Sequence, residues 1–180
     1  MTFDSVSREI DAIFVRAAKS ALVSNSSDAI VVEPYDAAKS HAMPGERALV
    51  LTISSYRFRL LIIFHFTDNI ETRRSFHGAE KGIPLDDILG EVGNLCCGSI
   101  KHELGRSLPH IGLSTPYVLE NRASRHIDSL KPTHVSRHRI LLNHTSELHA
   151  SLCLCAYGPF ALAAPNPEPT AVESGTLELF

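Results

Sequence analysis

The chain has no basic excess. Its 17 Lys and Arg stand against 20 Asp and Glu, a formal net charge of -3, so nucleic acid finds no electrostatic footprint on it. It has no apolar run of the roughly 20 residues that a membrane-spanning helix needs; stretches such as Leu60 to Phe64 stop at strand length. The N-terminus lacks a basic start and a cleavage-site pattern, and Asp4, Glu9 and Asp11 interrupt its apolar residues, so it does not read as a secretory signal. A cytoplasmic location is the expectation. No Cys-x-x-Cys occurs. The four cysteines fall as Cys96-Cys97 and as Cys153 and Cys155, and in a reducing compartment they are expected to be small buried hydrophobes. There is no internal repeat, Gly-rich phosphate loop, Ser-His-Asp elbow or paired-acid motif. Five of the ten histidines (His126, His134, His138, His144 and His149) lie in the C-terminal third, but no carboxylate or cysteine completes a recognisable ligand set, and no metal site is expected.

What is present is an ordinary globular composition, 44% hydrophobic and 21% charged over 180 residues. That suits one domain with a sizeable core. Val6, Ile10, Ile13, Ala17 and Ala21 recur at helical spacing and predict a helix from Asp4 to Val23, capped by Asp4 or Ser5. Ala29 to Glu33 reads as a short strand and Asp36 to Gly45 as a loop. Ala48 to Ser54 and Arg57 to Phe66 alternate with period two and predict an antiparallel hairpin. Asp68 to Gly82 fits either a short helix or a loop. A second helix runs from Pro84 to about Arg106, with Asp86 and Asp87 in its first turn, where the helix dipole favours acid. Gly112 to Leu119 reads as a strand and Asn121 to Pro132 as a polar loop. Val135 to Leu142 and Glu147 to Tyr157 form a last hairpin, turning near Asn143 to Ser146. The fold class is therefore α+β, a mostly antiparallel sheet against two main helices. The domain is expected over residues 1–158, with an Ala/Pro-rich tail over 159–180.

The informative segment is the second helix. At about 100° per residue, Ile88, Val92, Leu95, Cys96 and Ser99 fall on one side, read as the face for the sheet. Asp87, Glu91, Asn94, Gly98, Lys101 and Gly105 fall on the other. Glu91 and Asn94 are three apart, so their side chains are neighbours. Interior glycines each cost a helix about 1 kcal/mol against alanine, yet Gly90, Gly93, Gly98 and Gly105 all lie in or near it. Such glycines suit a surface that must be approached closely. A bulky side chain at Gly98 would keep a partner away. By spacing alone, Glu-x-x-Asn is a weak pattern that ordinary solvated helix faces also produce.

Over a longer span the pattern becomes specific. Glu91-Val92-Gly93-Asn94, then Gly98 and Lys101, resembles the signature helix of the CheC, CheX and FliY phosphatases. Leu113-Ser114-Thr115-Pro116-Tyr117-Val118 resembles the Leu-Ser-x-Pro-x-Val strand that follows this helix in CheX-like members. The likeness spans about Asp4 to Tyr157 and is specific from Glu91 to Val118. CheC-type members carry two motif helices, and the single one here is the CheX arrangement. The resemblance implies a CheC/CheX-like fold, a homodimer, and hydrolysis of phospho-aspartate on a CheY-like response regulator. It assigns Glu91 and Asn94 as catalytic, and Asp87, Gly98 and Lys101 to contact with the regulator. It implies no cofactor of the chain's own, since Mg²⁺ is supplied by the regulator. The alternative is a regulator-binding module without catalysis. The sequence departs from the pattern in the basic stretch of Arg73, Arg74, His77 and Lys81, in Cys96-Cys97 where small residues are usual, and in the tail beyond Pro159.

Overall fold

The computed structural model describes residues 3–23, 29–36, 43–76 and 82–162. The elements in chain order are α1 (Phe3–Leu22), β1 (Ile30–Pro34), β2 (Arg47–Ser54), β3 (Phe58–Phe66), α2 (Ile70–Arg74), α3 (Leu85–Gly105), β4 (Gly112–Leu113) and β5 (Tyr117–Glu120). A 3₁₀ helix (Asn121–Leu130), β6 (His134–Leu142) and β7 (Ser146–Ala156) complete the chain. All strand pairs are antiparallel, in the order β1-β6-β7-β3-β2-β4, with β5 also pairing β2. The α+β class and both hairpins stand as read from the sequence. The turn between β6 and β7 places Asn143 and His144 at φ of 50° and 57°, the left-handed backbone that a tight hairpin turn demands and Asn tolerates.

Period two gives the sheet two unlike faces. Leu49, Leu51 and Ile53 of β2, Phe58 to Phe66 in steps of two on β3, and Leu148 to Leu154 in steps of two on β7 form one face. They join Val6, Ile10, Phe14 and Ala17 of α1 and Leu89, Cys96 and Ile100 of α3 in the main core. α1 already runs helically at Asp4 and Ser5, so neither is its cap. The opposite face buries a smaller cluster of Ala48, Val50, Ile63, Cys153 and Cys155 under Ile127 of the 3₁₀ helix.

Two sequence expectations are corrected here. The stretch expected as a polar loop after Asn121 is the 3₁₀ helix. It has three residues per turn, which brings Asn121, Ser124 and Ile127 into line on the sheet-facing side, with Asn121 and Ile127 buried. The strand expected over Gly112 to Leu119 is two strands, interrupted at 114–116. Ser114 holds the interruption against β2. Its N–H donates to Thr52 O and its hydroxyl accepts from Thr52 N, both at 2.9 Å, while Pro116 lacks an N–H to pair. Asp68 to Gly82 includes α2, capped by Asn69, whose Oδ1 accepts from Thr72 N at 2.9 Å. At the C-terminus, packing continues past residue 158: Phe160 stacks on Phe58 at 5.3 Å and Leu162 is buried in the main core. Residues 163–180 of the expected tail lie outside the described residues.

All four cysteines are free and buried, as expected of small hydrophobes. Burial pushes the thiols of Cys96 and Cys153 up to about 12 and raises that of Cys97 as well. Thiolate is the reactive form, so Ellman's reagent is expected to label none of them in the native protein and all four in denaturant. A native-state reaction at any of them would contradict the packing.

Candidate functional site

α3 starts after Pro84 with Asp86 and Asp87 in its first turn. Its buried stripe is Leu85, Leu89, Gly93, Cys96, Cys97, Ile100 and Leu104. This corrects the face read from the sequence by roughly a quarter turn. Leu95 is 63% exposed, Ser99 is exposed with its hydroxyl turned back onto Leu95 O, and Ile88 and Val92 are only partly buried. Of the expected inward residues only Cys96 is fully buried. The reason is Gly93. A Cβ there would stand 2.8 Å from Leu51 Cδ1 and 3.0 Å from Leu49 Cδ2, so the helix settles onto β2 over a glycine rather than over its bulkiest side chains.

The outward ridge carries Asp87, Glu91, Asn94, Gly98, Lys101 and Gly105, each exposed or half-buried. The two sequence segments that carry the resemblance meet here. The loop between β4 and β5 abuts α3, with Pro116 Cγ 3.6 Å from where a Cβ on Gly90 would stand. The side chains of Asp87, Glu91, Asn94 and Lys101 make no hydrogen bond or ion pair among the described residues. The flanks of the same helix differ: Asp86 pairs with Arg47 at 2.5 Å and Glu103 with Arg16 at 2.6 Å. Among the described residues the fold thus engages the charges beside the ridge and leaves those on it without partners. Leu95, one turn from Glu91, adds a bare apolar side chain.

Gly98 differs from Gly93. A Cβ on Gly98 would meet nothing within 4 Å, so packing gives no reason for glycine there. Gly98→Ala is expected to raise stability by up to about 1 kcal/mol, read as a Tm higher by about 2–4 °C for a chain of this size. Gly93→Val is expected to lower stability by about 1–3 kcal/mol through overpacking. A Gly98→Ala protein less stable than wild type would mean that the fold itself needs this glycine.

Two other polar clusters compete for attention. His65 lies between Ser151 and Asn121, with Nε2 2.9 Å from the Ser151 hydroxyl and Nδ1 2.6 Å from Asn121 Oδ1. Asn121 donates its amide hydrogens to Met43 O and Gly45 O at 2.6 and 2.8 Å. Its Oδ1 is therefore the acceptor, His65 Nδ1 carries the proton, and the Ser151 hydroxyl donates to Nε2. The line imitates a nucleophile triad, but His65 and Ser151 are fully buried and no substrate reaches them. It is a structural clasp, whose burial pushes the His65 imidazole down to about 4. The second cluster joins α1 to β6. Asp11 lies 3.5 Å from His134 and 3.6 Å from His138 and accepts from the Ser136 hydroxyl. Burial alone would raise the Asp11 carboxyl, but His138, Ser136 and His134 together hold it below its usual range. Among the described residues no three His, Cys, Asp or Glu side chains are arranged to hold a metal ion, and no helix is long and apolar enough to cross a membrane.

No family model and no curated protein matches the sequence. By fold, the chain is similar to solved chemotaxis proteins. CheX from Desulfovibrio desulfuricans is 20% identical, with a TM-score of 0.57 over 81% of this chain and 99% of that one. A chemotaxis protein from Desulfovibrio vulgaris Hildenborough is 18% identical, with a TM-score of 0.57 over 81% and 96%. The CheX of Borrelia burgdorferi, crystallised as a CheX–CheY–BeF3–Mg complex, is 16% identical, with a TM-score of 0.56 over 81% and 97%. The fold is CheC/CheX-like.

Proposed function

We propose that this chain accelerates hydrolysis of the phospho-aspartate of a CheY-like response regulator, with α3 as the helix that enters the regulator's active site. The observation that carries the reading is the Glu91 and Asn94 pair on the outward ridge, without side-chain partners among the described residues and beside a glycine that packing does not require, on a CheX-like fold. The Borrelia burgdorferi complex is of CheX with CheY, which supports the same class of partner here.

The chemistry asks little of such a helix. An acyl phosphate is intrinsically labile, and charge on its oxygens is neutralised within the regulator by Mg²⁺ and a lysine. What must be added is a water held in line with phosphorus. A carboxamide both accepts from and donates to water, so Asn94 orients it, a positioning effect. Glu91, one turn earlier, pairs with the regulator's lysine. Asp87 and Gly98 border the contact, one as a polar neighbour and the other as the gap that admits the regulator's backbone. No cofactor of the chain's own enters this scheme. The homodimer belongs to the same reading.

The test is the decay of a phosphorylated response regulator from the same genome, with and without the purified chain. Faster decay at catalytic amounts of protein supports the phosphatase. Binding without faster decay would replace it with the non-catalytic module.

A further inference from the structure

We infer that the C-terminal third of α3 is a second docking site, one that takes an acidic segment of the same regulator and sets its orientation on the helix. The inference rests on the proposed regulator reading and extends it from Gly98 and Lys101, which the resemblance already assigns to contact with the regulator, to His102 and Arg106 at the helix end. A cleft of about 600 Å³ opens between this end of α3 and β4, lined by Gly98, Lys101, His102, Gly105, Arg106 and Leu113. Lys101, His102 and Arg106 are exposed. None of them has a carboxylate partner among the described residues, because the nearby Glu103 is committed to Arg16 at 2.6 Å.

A helix dipole favours cations near its C-terminus, which accounts for basic residues there in any helix. It does not account for Gly98. A Cβ there would meet nothing within 4 Å, so the fold would accept alanine, and alanine favours helix at interior positions; Gly105, the last residue of α3, is equally open. Two bare positions seven apart leave a smooth floor under the cations, suited to the close approach of a backbone bearing carboxylates.

The ridge is also polarised. Asp87 and Glu91 lie at one end, Asn94 follows, and Lys101, His102 and Arg106 lie at the other. From Asn94 to Arg106 is about 18 Å of helix axis, within the span of one small domain. A partner that places a lysine against Glu91 and an acidic segment against Lys101 and Arg106 matches the ridge in one direction and meets like charges in the other. Such an arrangement governs encounter and register more than chemistry.

The test is steady-state dephosphorylation by wild type and by a K101E/R106E double variant, at low and high salt. Both residues are exposed, and circular dichroism checks that the variant folds. The expected result is a rise of about tenfold or more in KM at low salt, carried in KM rather than kcat, with the two proteins converging as salt screens the contact. Asn94→Ala in the same assay reports on the catalytic reading separately. An active wild type whose KM is unmoved by charge reversal overturns the docking site and leaves the phosphatase standing. A wild type that binds the regulator without accelerating decay, with a Kd weakened by the reversal, keeps the docking site and removes the phosphatase. No binding by wild type overturns both.

Discussion

Asn94→Ala is expected to lower stimulated phospho-aspartate decay by about 100-fold, equivalent to about 2.7 kcal/mol of transition-state stabilisation, with no loss of thermal stability. The two halves of this expectation have separate origins. The Asn94 side chain is half-buried on the ridge and makes no hydrogen bond to another described residue, so its removal breaks nothing in the fold, and alanine is the better helix former. Its carboxamide is, on the proposed reading, the one group that can both accept a hydrogen bond from the attacking water and donate one to its surroundings. Asn94→Asp is the sharper variant. It keeps the shape, removes the donor and brings a negative charge towards the phosphoryl oxygens, so decay is expected to be no faster than with Ala. Glu91→Gln should act mainly through KM, because a neutral amide loses the charge pair with the regulator's lysine while the water stays placed. Single-turnover decay at saturating protein separates these effects. Stimulation by Asn94→Ala within twofold of wild type would remove Asn94 from the chemistry.

The sheet was legible because one face of each hairpin lies under helices, which forces a clean period of two on Leu49 to Ile53 and Phe58 to Phe66. The ridge was legible for a different reason. Glu91, Asn94 and Gly98 share a helix face by spacing alone, and their face follows from α3 being a helix at all. The inward face of the same helix was misread, because periodicity weighs bulk. Ile88, Val92 and Leu95 look like the core stripe, while the true stripe depends on Gly93 and Cys97, the first of which lets Leu51 and Leu49 approach. Small residues define a helix face by what they admit, and no hydrophobicity pattern records that. The 3₁₀ helix escaped because its period of three fits neither the strand nor the α-helix template, and its sequence carries one buried apolar residue, Ile127. The His65 clasp escaped because its partners lie 56 and 86 residues away.

Charge on α3 separates into two populations with distinct roles. Arg47 with Asp86 and Arg16 with Glu103 tie the helix to β2 and to α1. Asp87, Glu91, Lys101 and Arg106 face outward with no ion-pair partner among the described residues. Exposed pairs contribute little to stability, so a helix could equally have paired all its charges with each other. Leaving one polarised row without partners among the described residues, over a Gly98 that the packing does not require, costs helix stability, and on the proposed reading the regulator is what covers the row.

The largest pH effect expected of this protein is on stability, through the same buried clasp. An unfolded histidine titrates near 6.5 and burial pushes folded His65 down to about 4. Between those values the unfolded chain binds the proton and the native one does not. The stabilisation is therefore complete above about 6.5 and falls as pH drops, by about 3 kcal/mol on reaching pH 4. His149, lowered chiefly by its own burial against a partial offset from Glu147, acts in the same sense. Asp11, held below its usual range by His138, Ser136 and His134 against the opposing effect of burial, keeps its contribution until the pH falls through its own lower value. Urea midpoints measured from pH 7.5 to 4 should thus decline steadily below 6.5. In His65→Asn, the amide can still donate to Asn121 Oδ1 but has nothing to titrate. That variant is expected to be less stable at pH 7, because Ser151 loses its acceptor in the buried interior, and to show a decline below pH 6.5 that is shallower by about 3 kcal/mol. An undiminished slope in His65→Asn would mean that the acid sensitivity resides elsewhere, with His149 the next group to replace.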